Sequence, residues 1–193
     1  YSKGRSFADF QNKDINNLYF DSFIPMARFV IHTFNGEFPN PKQKPRVFLA
    51  SHVWMPAGAT EDDFVQLKKI FEFPHYYGLY TGNTVLDRYA SGLLVKIGKR
   101  SLHGVKHGFD GDLAIQGDYV AQIFYPLDFK TKLDKFFKST KSIEKFDLTK
   151  AFEIYSAKNP IKVVVSRNPE LAQSLREEGI KLYEKHSKKT GKP

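Results

Sequence analysis

The densest group of side chains with catalytic or metal-binding chemistry lies between His103 and Asp112. This segment, HGVKHGFDGD, carries two histidines, one lysine and two aspartates within ten residues. Imidazole and carboxylate together suit divalent transition ions, so the candidate metal ligands are His103, His107, Asp110 and Asp112. A histidine nucleophile beside a phosphate-neutralising lysine would instead suit phosphodiester cleavage. In an enzyme of that kind the catalytic candidates are His103, Lys106, His107 and Asp110.

The spacing within this group matches neither chemistry closely. The phospholipase D signature places lysine two residues after histidine, whereas Lys106 follows His103 by three. A calcium loop starting at Asp110 would need Glu where Ala121 stands. The alternative interpretation is a polar turn, in which Gly and Asp are favoured for backbone reasons. We therefore expect no cofactor.

A second group of residues is aromatic and suits a ligand pocket. The segment FEFPHYYGLY spans residues 71–80, and the single tryptophan lies upstream of it. Aromatic side chains near Gly and Pro commonly line pockets for small organic molecules, although they also pack loops. The candidate ligand-binding residues are Trp54, His75, Tyr76, Tyr77 and Tyr80.

A third group is basic. The net charge is +9, and residues 126–193 hold a surplus of seven positive charges. Helical spacing predicts one apolar face with lysines on the outer face; the apolar residues are Phe129, Leu133, Phe136 and Phe137, and the lysines are Lys130, Lys132, Lys135 and Lys138. These lysines are candidate contacts for phosphates of a nucleic acid, or for an acidic protein. The alternative is a solvated lysine-rich surface.

Strands and helices alternate along the chain, which predicts a mixed α/β fold, either an α+β arrangement or an α/β sandwich. The predicted strands lie near 46–55, 119–125 and 161–165, and the predicted helices lie within 16–34, 60–71, 84–97, 128–138, 147–155 and 169–186. Residues 73–82 are predicted to form a structured loop. Capping residues support four of the helix starts: Thr60 with Asp63, Asp128, Asp147, and Asn168 followed by Pro169.

The length and composition predict one compact domain over residues 1–186, followed by a flexible basic tail over 187–193. The chain has 193 residues, 41% of them hydrophobic and none of them Cys. The lack of Cys excludes disulfides, thiolate metal sites and cysteine nucleophiles. No apolar run is long enough to insert into a membrane. We expect a cytoplasmic protein, or an organelle protein processed ahead of Tyr1.

Two segments resemble part of a known family. Residues 117–124 (GDYVAQIF) and 161–176 (IKVVVSRNPELAQSLR) are similar to strand and helix elements in the phospholipase D-like sensor region of TrmB-type prokaryotic transcription regulators. Tyr183 matches one of the aromatic positions that end such regions, whereas Gly179 stands where an aromatic is typical. An insertion over 130–158 also departs from the pattern. The resemblance, which covers residues ~112–186, implies effector sensing without catalysis, downstream of a winged helix.

Three functions follow as alternatives. The first is a non-catalytic domain that binds a small-molecule effector in a transcription regulator and is able to form a homodimer. The second is a basic subunit of a nucleoprotein or organelle assembly, whose binding would weaken as salt rises. The third is a metal- or His-dependent hydrolase built on residues 103–112, whose activity would be lost in His103→Ala and His107→Ala.

Overall fold

A computed structural model of the chain describes residues 7–10, 14–54, 58–73 and 75–190, and these residues form one mixed α/β fold around a single seven-stranded sheet. In chain order the strands are β1 (Ile15–Phe20), β2 (Arg46–Ala50), β3 (Tyr76–Tyr80), β4 (Arg100–Leu102), β5 (Asp112–Gln116), β6 (Tyr119–Phe124) and β7 (Ile161–Arg167). The α-helices are α1 (Phe23–Arg28), α2 (Glu61–Glu72), α3 (Val85–Lys96), α4 (Leu127–Ser139), α5 (Leu148–Ser156) and α6 (Pro169–Thr190). A π-helical segment, Phe29–Phe34, continues α1.

The sheet changes character at β2. Its order is β1-β7-β6-β5-β2-β3-β4. Strands β1, β7, β6, β5 and β2 pair antiparallel, whereas β2, β3 and β4 pair parallel through the crossover helices α2 and α3. The ends of β2 and β3 therefore meet the start of β5 and the end of β6 at one edge. Such an edge is a usual place for functional groups in open α/β sheets.

Alternation along the strands gives the sheet two buried faces. The first face, which includes Phe48 and Tyr80, packs under α1, α3, α4 and α5. The second face, which includes Val47 and Leu49, packs under α6. Helix α6 approaches β2 closely, since a Cβ at Gly179 would lie 2.7 Å from Val47 Cγ1. The small residue at 179 is thus explained by helix–sheet packing.

Capping signals are confirmed at three of the four helix starts where they were predicted. The cap predicted at Asp128 is wrong, because α4 begins one residue earlier, at Leu127, with Pro126 at the N-cap position and no side-chain cap. Thr60 and Asp63 form a reciprocal capping box at the start of α2. The Asp147 side chain accepts from Lys150 N at the start of α5. Asn168 Oδ1 accepts from Leu171 N at 2.9 Å, which caps α6 ahead of Pro169. These signals involve residues three apart, so a short stretch of sequence is enough to predict them.

Three predicted elements are wrong in type. Residues 15–20 form an edge strand, although the apolar spacing from residue 16 onward predicts a helix. The helix begins only at Phe23. Residues 76–80 form the interior strand β3, not a loop, because their aromatic side chains suit a pleated and partly buried surface. Residues 112–116 form the fully buried strand β5, which no pattern predicted and which begins at the last residue of the segment interpreted as a polar turn.

Three boundaries also differ. Strand β2 ends at Ala50, because the backbone of Ser51 turns to bond with Asp112. Strand β7 extends to Arg167, where it continues to pair with β6. Helix α6 runs to Thr190, four residues beyond the predicted end, and residues 191–193 of the predicted tail lie outside the described residues.

Candidate ligand-binding cavity

An apolar cavity of about 800 Å³ lies on the first face of the sheet, beneath α1, the π-helical segment, α2 and α3. Small-molecule sites in proteins typically have volumes of roughly 300–1,000 Å³. The floor comprises Phe48 and Tyr80, and the walls include Val30, Ala90 and Leu94. The dimensions and the lining are those of a site for an organic molecule.

Trp54 forms one end wall of the cavity, and packing fixes its ring. The indole lies edge-on to Phe48 at 5.0 Å and to Phe23 at 5.2 Å between ring centroids. Its Nε1 donates to Asp112 Oδ2 at 2.8 Å. A buried indole normally requires such a partner for its N–H. Asp112 therefore positions an aromatic wall of the cavity.

Asp112 is a buried carboxylate at the start of β5. It accepts from Tyr125 Oη at 2.8 Å and from the backbone N–H of Ser51 at 3.1 Å, in addition to Trp54. Burial raises the pKa of Asp112, and the hydrogen bonds from Tyr125 and Trp54 oppose that shift. The carboxylate thus fixes both ends of the loop from Ser51 to Trp54.

A second buried carboxylate holds the middle of the same loop. Asp87, in the first turn of α3, accepts from Val53 N at 3.2 Å. Each of its two carboxylate oxygens lies 3.1 Å from His52 Nδ1. His52 Nε2 lies 2.9 Å from Asp134 Oδ1 on α4, and the ring stacks on Phe137 at 4.1 Å. Both ring nitrogens face carboxylates, so the doubly protonated imidazolium satisfies all contacts.

Burial and the two neighbouring carboxylates shift the pKa of His52 in opposite directions. Burial alone would lower the pKa, but hydrogen bonds and charges from Asp87 and Asp134 raise it above the ordinary value. The pKa of Asp87 is lowered in turn, since the bonds from His52 and Thr84 outweigh its burial. The imidazolium links the β2 loop to α3 and α4. These contacts give His52 a structural role, which is to hold the wall of the cavity in place.

Helix α2 covers the cavity as a roof attached at one end. Its lining residues include Leu67 and Ile70, and Phe64, which is 53% exposed at the rim. The attachment is the buried Asp63, which accepts from Arg28 Nε at 3.1 Å and contacts His32 Nε2 at 2.7 Å. The π-helical segment carries His32, and such segments are frequent at functional sites.

The far end of the cavity is polar. Arg46 and Tyr76, the first residues of β2 and β3, are paired in register. Arg46 Nη2 donates to Asn35 O at 3.1 Å, and its guanidinium carbon lies 4.2 Å from the centroid of the Phe73 ring. Tyr76 and Tyr80 are linked by a side-chain hydrogen bond. The cavity therefore runs from polar groups at Arg46 to Trp54.

The structure brings together three of the five aromatic candidates. Trp54, Tyr76 and Tyr80 line the cavity. His75 is exposed beside the start of β3. Tyr77 points to the second face, where it packs edge-on against Tyr183 at 5.3 Å. Successive side chains of a strand point to opposite faces of the sheet, so Tyr77 lies on the other face from Tyr76 and Tyr80.

The residues of the 103–112 segment engage different partners. His103 Nδ1 lies 3.0 Å from Asn83 Oδ1, and Lys106 is exposed. Buried His107 faces Ala50 O through Nε2 at 3.2 Å and accepts from Phe109 N through Nδ1 at 3.3 Å. Among the described residues, no group of three or more His, Asp or Glu side chains is placed to hold a metal ion.

The basic helix α4 has the predicted faces. Phe129, Leu133, Phe136 and Phe137 are all buried. Lys130 pairs with Asp110 at 2.6 Å, and Lys138 lies 3.9 Å from Asp134. Lys132 and Lys135 are exposed. Two of the four candidate lysines thus already lie near carboxylates of this chain.

The residues that hold the cavity wall were missed by sequence reasoning. His52, Asp87 and Asp134 come from three elements that lie far apart in the chain. The one local signal was the capping box of Thr84 with Asp87, which marks the start of α3. The sequence predicts Asp112 as a candidate metal ligand because histidines and a second aspartate lie close to it in the chain. Its actual bond, to Trp54, spans 58 residues and leaves no local signal.

Comparison of the chain with protein-family models, with curated proteins and with solved structures finds no match. No helix among the described residues is long and apolar enough to cross a membrane. Inference about function therefore depends on the geometry of the cavity.

Proposed function

We propose that this protein is a binding protein for a small, largely apolar molecule, which occupies the cavity between the sheet and helices α1, α2 and α3. One observation carries the proposal: an apolar cavity of about 800 Å³ is built into the fold. An apolar site of this size releases ordered water when a ligand fills it, and burial of apolar surface drives the binding.

The mouth of the cavity supports the same function. Phe64, Tyr89, Leu93 and Ile97 are large apolar side chains that line the cavity and are also exposed to solvent. A cluster of exposed apolar groups at one place on a protein marks a site of interaction. A ligand entering between α2 and α3 would cover these side chains.

The role of sensor in a transcription regulator, which the TrmB-type resemblance implies, stays a prediction. An effector-binding cavity is what such a sensor requires. The alternatives of an assembly subunit and of a hydrolase also stay predictions, and they do not require the cavity. Ligand binding to the isolated chain is thus the first question to answer.

The experiment is a titration with 1-hexanol, 1-octanol and 1-decanol. Trp54 is the only tryptophan of the chain and lines the cavity, so its fluorescence reports on occupancy. Each added methylene contributes about 0.8 kcal/mol when buried, so the dissociation constant should fall roughly fourfold per methylene. An affinity that is independent of chain length would contradict a cavity site.

A matched pair of variants locates the site. Leu93 lines the cavity and is 44% exposed, whereas Leu171 on α6 is 39% exposed and lies on the second face. Leu93→Glu should weaken 1-decanol binding by about tenfold, because it replaces an apolar contact with a charge. Leu171→Glu should leave the affinity as it is. Equal losses in the two variants would contradict the proposed location.

A further inference from the structure

We infer that the ligand of this cavity is an amphiphile with a carboxylate headgroup, which Arg46 binds at the polar end while the apolar chain extends toward Trp54. This inference rests on the proposed function and specifies its ligand class. It depends on the chemistry of four residues: Arg46 and Tyr76 at the starts of β2 and β3, and Gly78 and Tyr80 further along β3.

Arg46 is a cation without a carboxylate partner among the described residues. Its Nη2 donates to Asn35 O at 3.1 Å, its Nε is buried with no hydrogen-bond acceptor, and no Asp or Glu oxygen of the described residues lies within ion-pair distance. Burial lowers the pKa of Arg46. A partly buried charge without a counter-ion has lost part of its hydration without compensation, and a ligand carboxylate would relieve that cost.

The other cations of the cavity differ from Arg46. Arg28 bonds to Asp63 at 3.1 Å, and Lys68 lies 3.9 Å from Glu72. Lys96, at the rim, is exposed to solvent. Arg46 is thus the partly buried cation toward which an anionic group in the cavity would be attracted, at the opposite end from Trp54.

Two phenols complete the polar end. Tyr76 and Tyr80 line the cavity and are hydrogen-bonded to each other. Gly78 lies between them on the same face of β3, and a Cβ there would lie 2.7 Å from Tyr80 Oη. The glycine therefore leaves the space that the Tyr80 hydroxyl occupies. Burial raises the pKa of Tyr76 to about 12, so its hydroxyl stays protonated and able to donate.

The charge at this end favours a carboxylate over a phosphate. One guanidinium offers a planar pair of donors that a carboxylate matches with a single negative charge. A phosphate monoester carries close to two negative charges at neutral pH, whereas the Arg46 guanidinium supplies one positive charge. The apolar remainder of the lining, from Val30 to Leu94, suits an aliphatic chain rather than further polar groups.

The test compares decanoic acid with 1-decanol, which have the same chain length and differ in the headgroup. Calorimetric titration at pH 7 should show the acid binding about tenfold or more tightly, as expected for charge-assisted hydrogen bonds. In Arg46→Gln this preference should disappear. Arg88→Gln is the matched control, because Arg88 is an exposed arginine on α3 outside the cavity, and it should keep the preference.

The outcomes separate the two proposals. If neither compound binds, the proposed function fails. If 1-decanol binds and the acid gains nothing, the cavity stands and the carboxylate inference is overturned. The wild-type comparison is decisive by itself even if Arg46→Gln fails to fold, as monitored by circular dichroism. Tyr80→Phe, which keeps the ring and removes the hydroxyl, should reduce the preference for the acid in a folded chain.

Discussion

The shape of the cavity depends on a few polar residues that do not touch its interior. The loop from Ser51 to Trp54 follows the end of β2, and the Ser51 carbonyl still accepts from Gly82 N at 2.7 Å. Two buried carboxylates hold the loop from its other side. Asp112 bonds to both ends of the loop, and Asp87 bonds to Val53 and His52. Removal of one member of such a network leaves a buried charge uncompensated, which is strongly destabilising.

The tight space around this network gives a prediction for Gly82. A Cβ at residue 82 would lie 2.6 Å from His52 Nδ1 and would also contact the Asp87 carboxylate. Gly82→Ala should therefore lower the free energy of unfolding by about 3 kcal/mol, through overpacking and displacement of the pair. Urea denaturation measures this difference.

Gly92 provides the control within the same structure. It lies inside α3, and no atom would lie within 4 Å of an added Cβ. Gly92→Ala should raise the free energy of unfolding by about 0.5–1 kcal/mol, because alanine has the higher helix propensity. If both substitutions destabilise the protein equally, the network is not the reason for glycine at 82.

At the scale of elements, α2 is the least embedded helix over the cavity, and Asp63 is its attachment. Burial alone would raise the pKa of Asp63, but hydrogen bonds from Thr60, His32 and Arg28 lower the pKa to about 2. The ordinary value in an unfolded chain is about 3.9. Ionised Asp63 thus stabilises the fold above about pH 4, and this contribution is lost as the pH falls toward 2.

Asp63→Asn should abolish that pH dependence. The variant should be less stable by roughly 2 kcal/mol at pH 7, and its free energy of unfolding should fall less steeply than that of the wild type between pH 4 and pH 2. Asp62→Asn is the neighbouring control, because Asp62 is exposed and the change leaves Asp63 in place. Denaturant melts at several pH values provide the measurement. Parallel wild-type and Asp63→Asn curves would rule out this role.

The elements that sequence predicted correctly have local causes. The caps of α2, α5 and α6 act over three residues, and the burial of α4 follows its helical spacing. The errors have non-local causes. Strand β1 is a strand because it pairs with β7, which is more than a hundred residues away. The apolar spacing of residues 16–34 cannot reveal that partner.

The same distinction applies to the cavity. Trp54 and Tyr80 were identified as ligand candidates from composition alone, because aromatic residues are common in pockets. Arg46 was not, since its surroundings come from β2, β3 and the residue after the π-helical segment. A charge whose partners are missing is visible only after the chain has folded around it.

At the scale of the whole molecule, the basic surplus is divided between the two faces of the sheet. Helix α4 packs on the first face and α6 on the second. Arg176 of α6 is buried and donates to the Pro45 and Gly117 carbonyls, so part of the positive charge stabilises the fold. The lysines of α4 and those of α6 therefore belong to helices on opposite faces of the sheet.

The division into two faces also allows the most direct test of the cavity. A stearic acid that carries a nitroxide on its chain broadens the NMR signals of nearby methyl groups. Methyl groups that line the cavity, such as those of Ile24, Ile31 and Leu94, should broaden at one equivalent of ligand. Methyl groups of the second face, such as Leu49, Leu113 and Val120, should broaden less, because they lie on the far side of the sheet and the effect falls steeply with distance. Broadening confined to the second face, or no selective broadening at all, would contradict the cavity as the binding site.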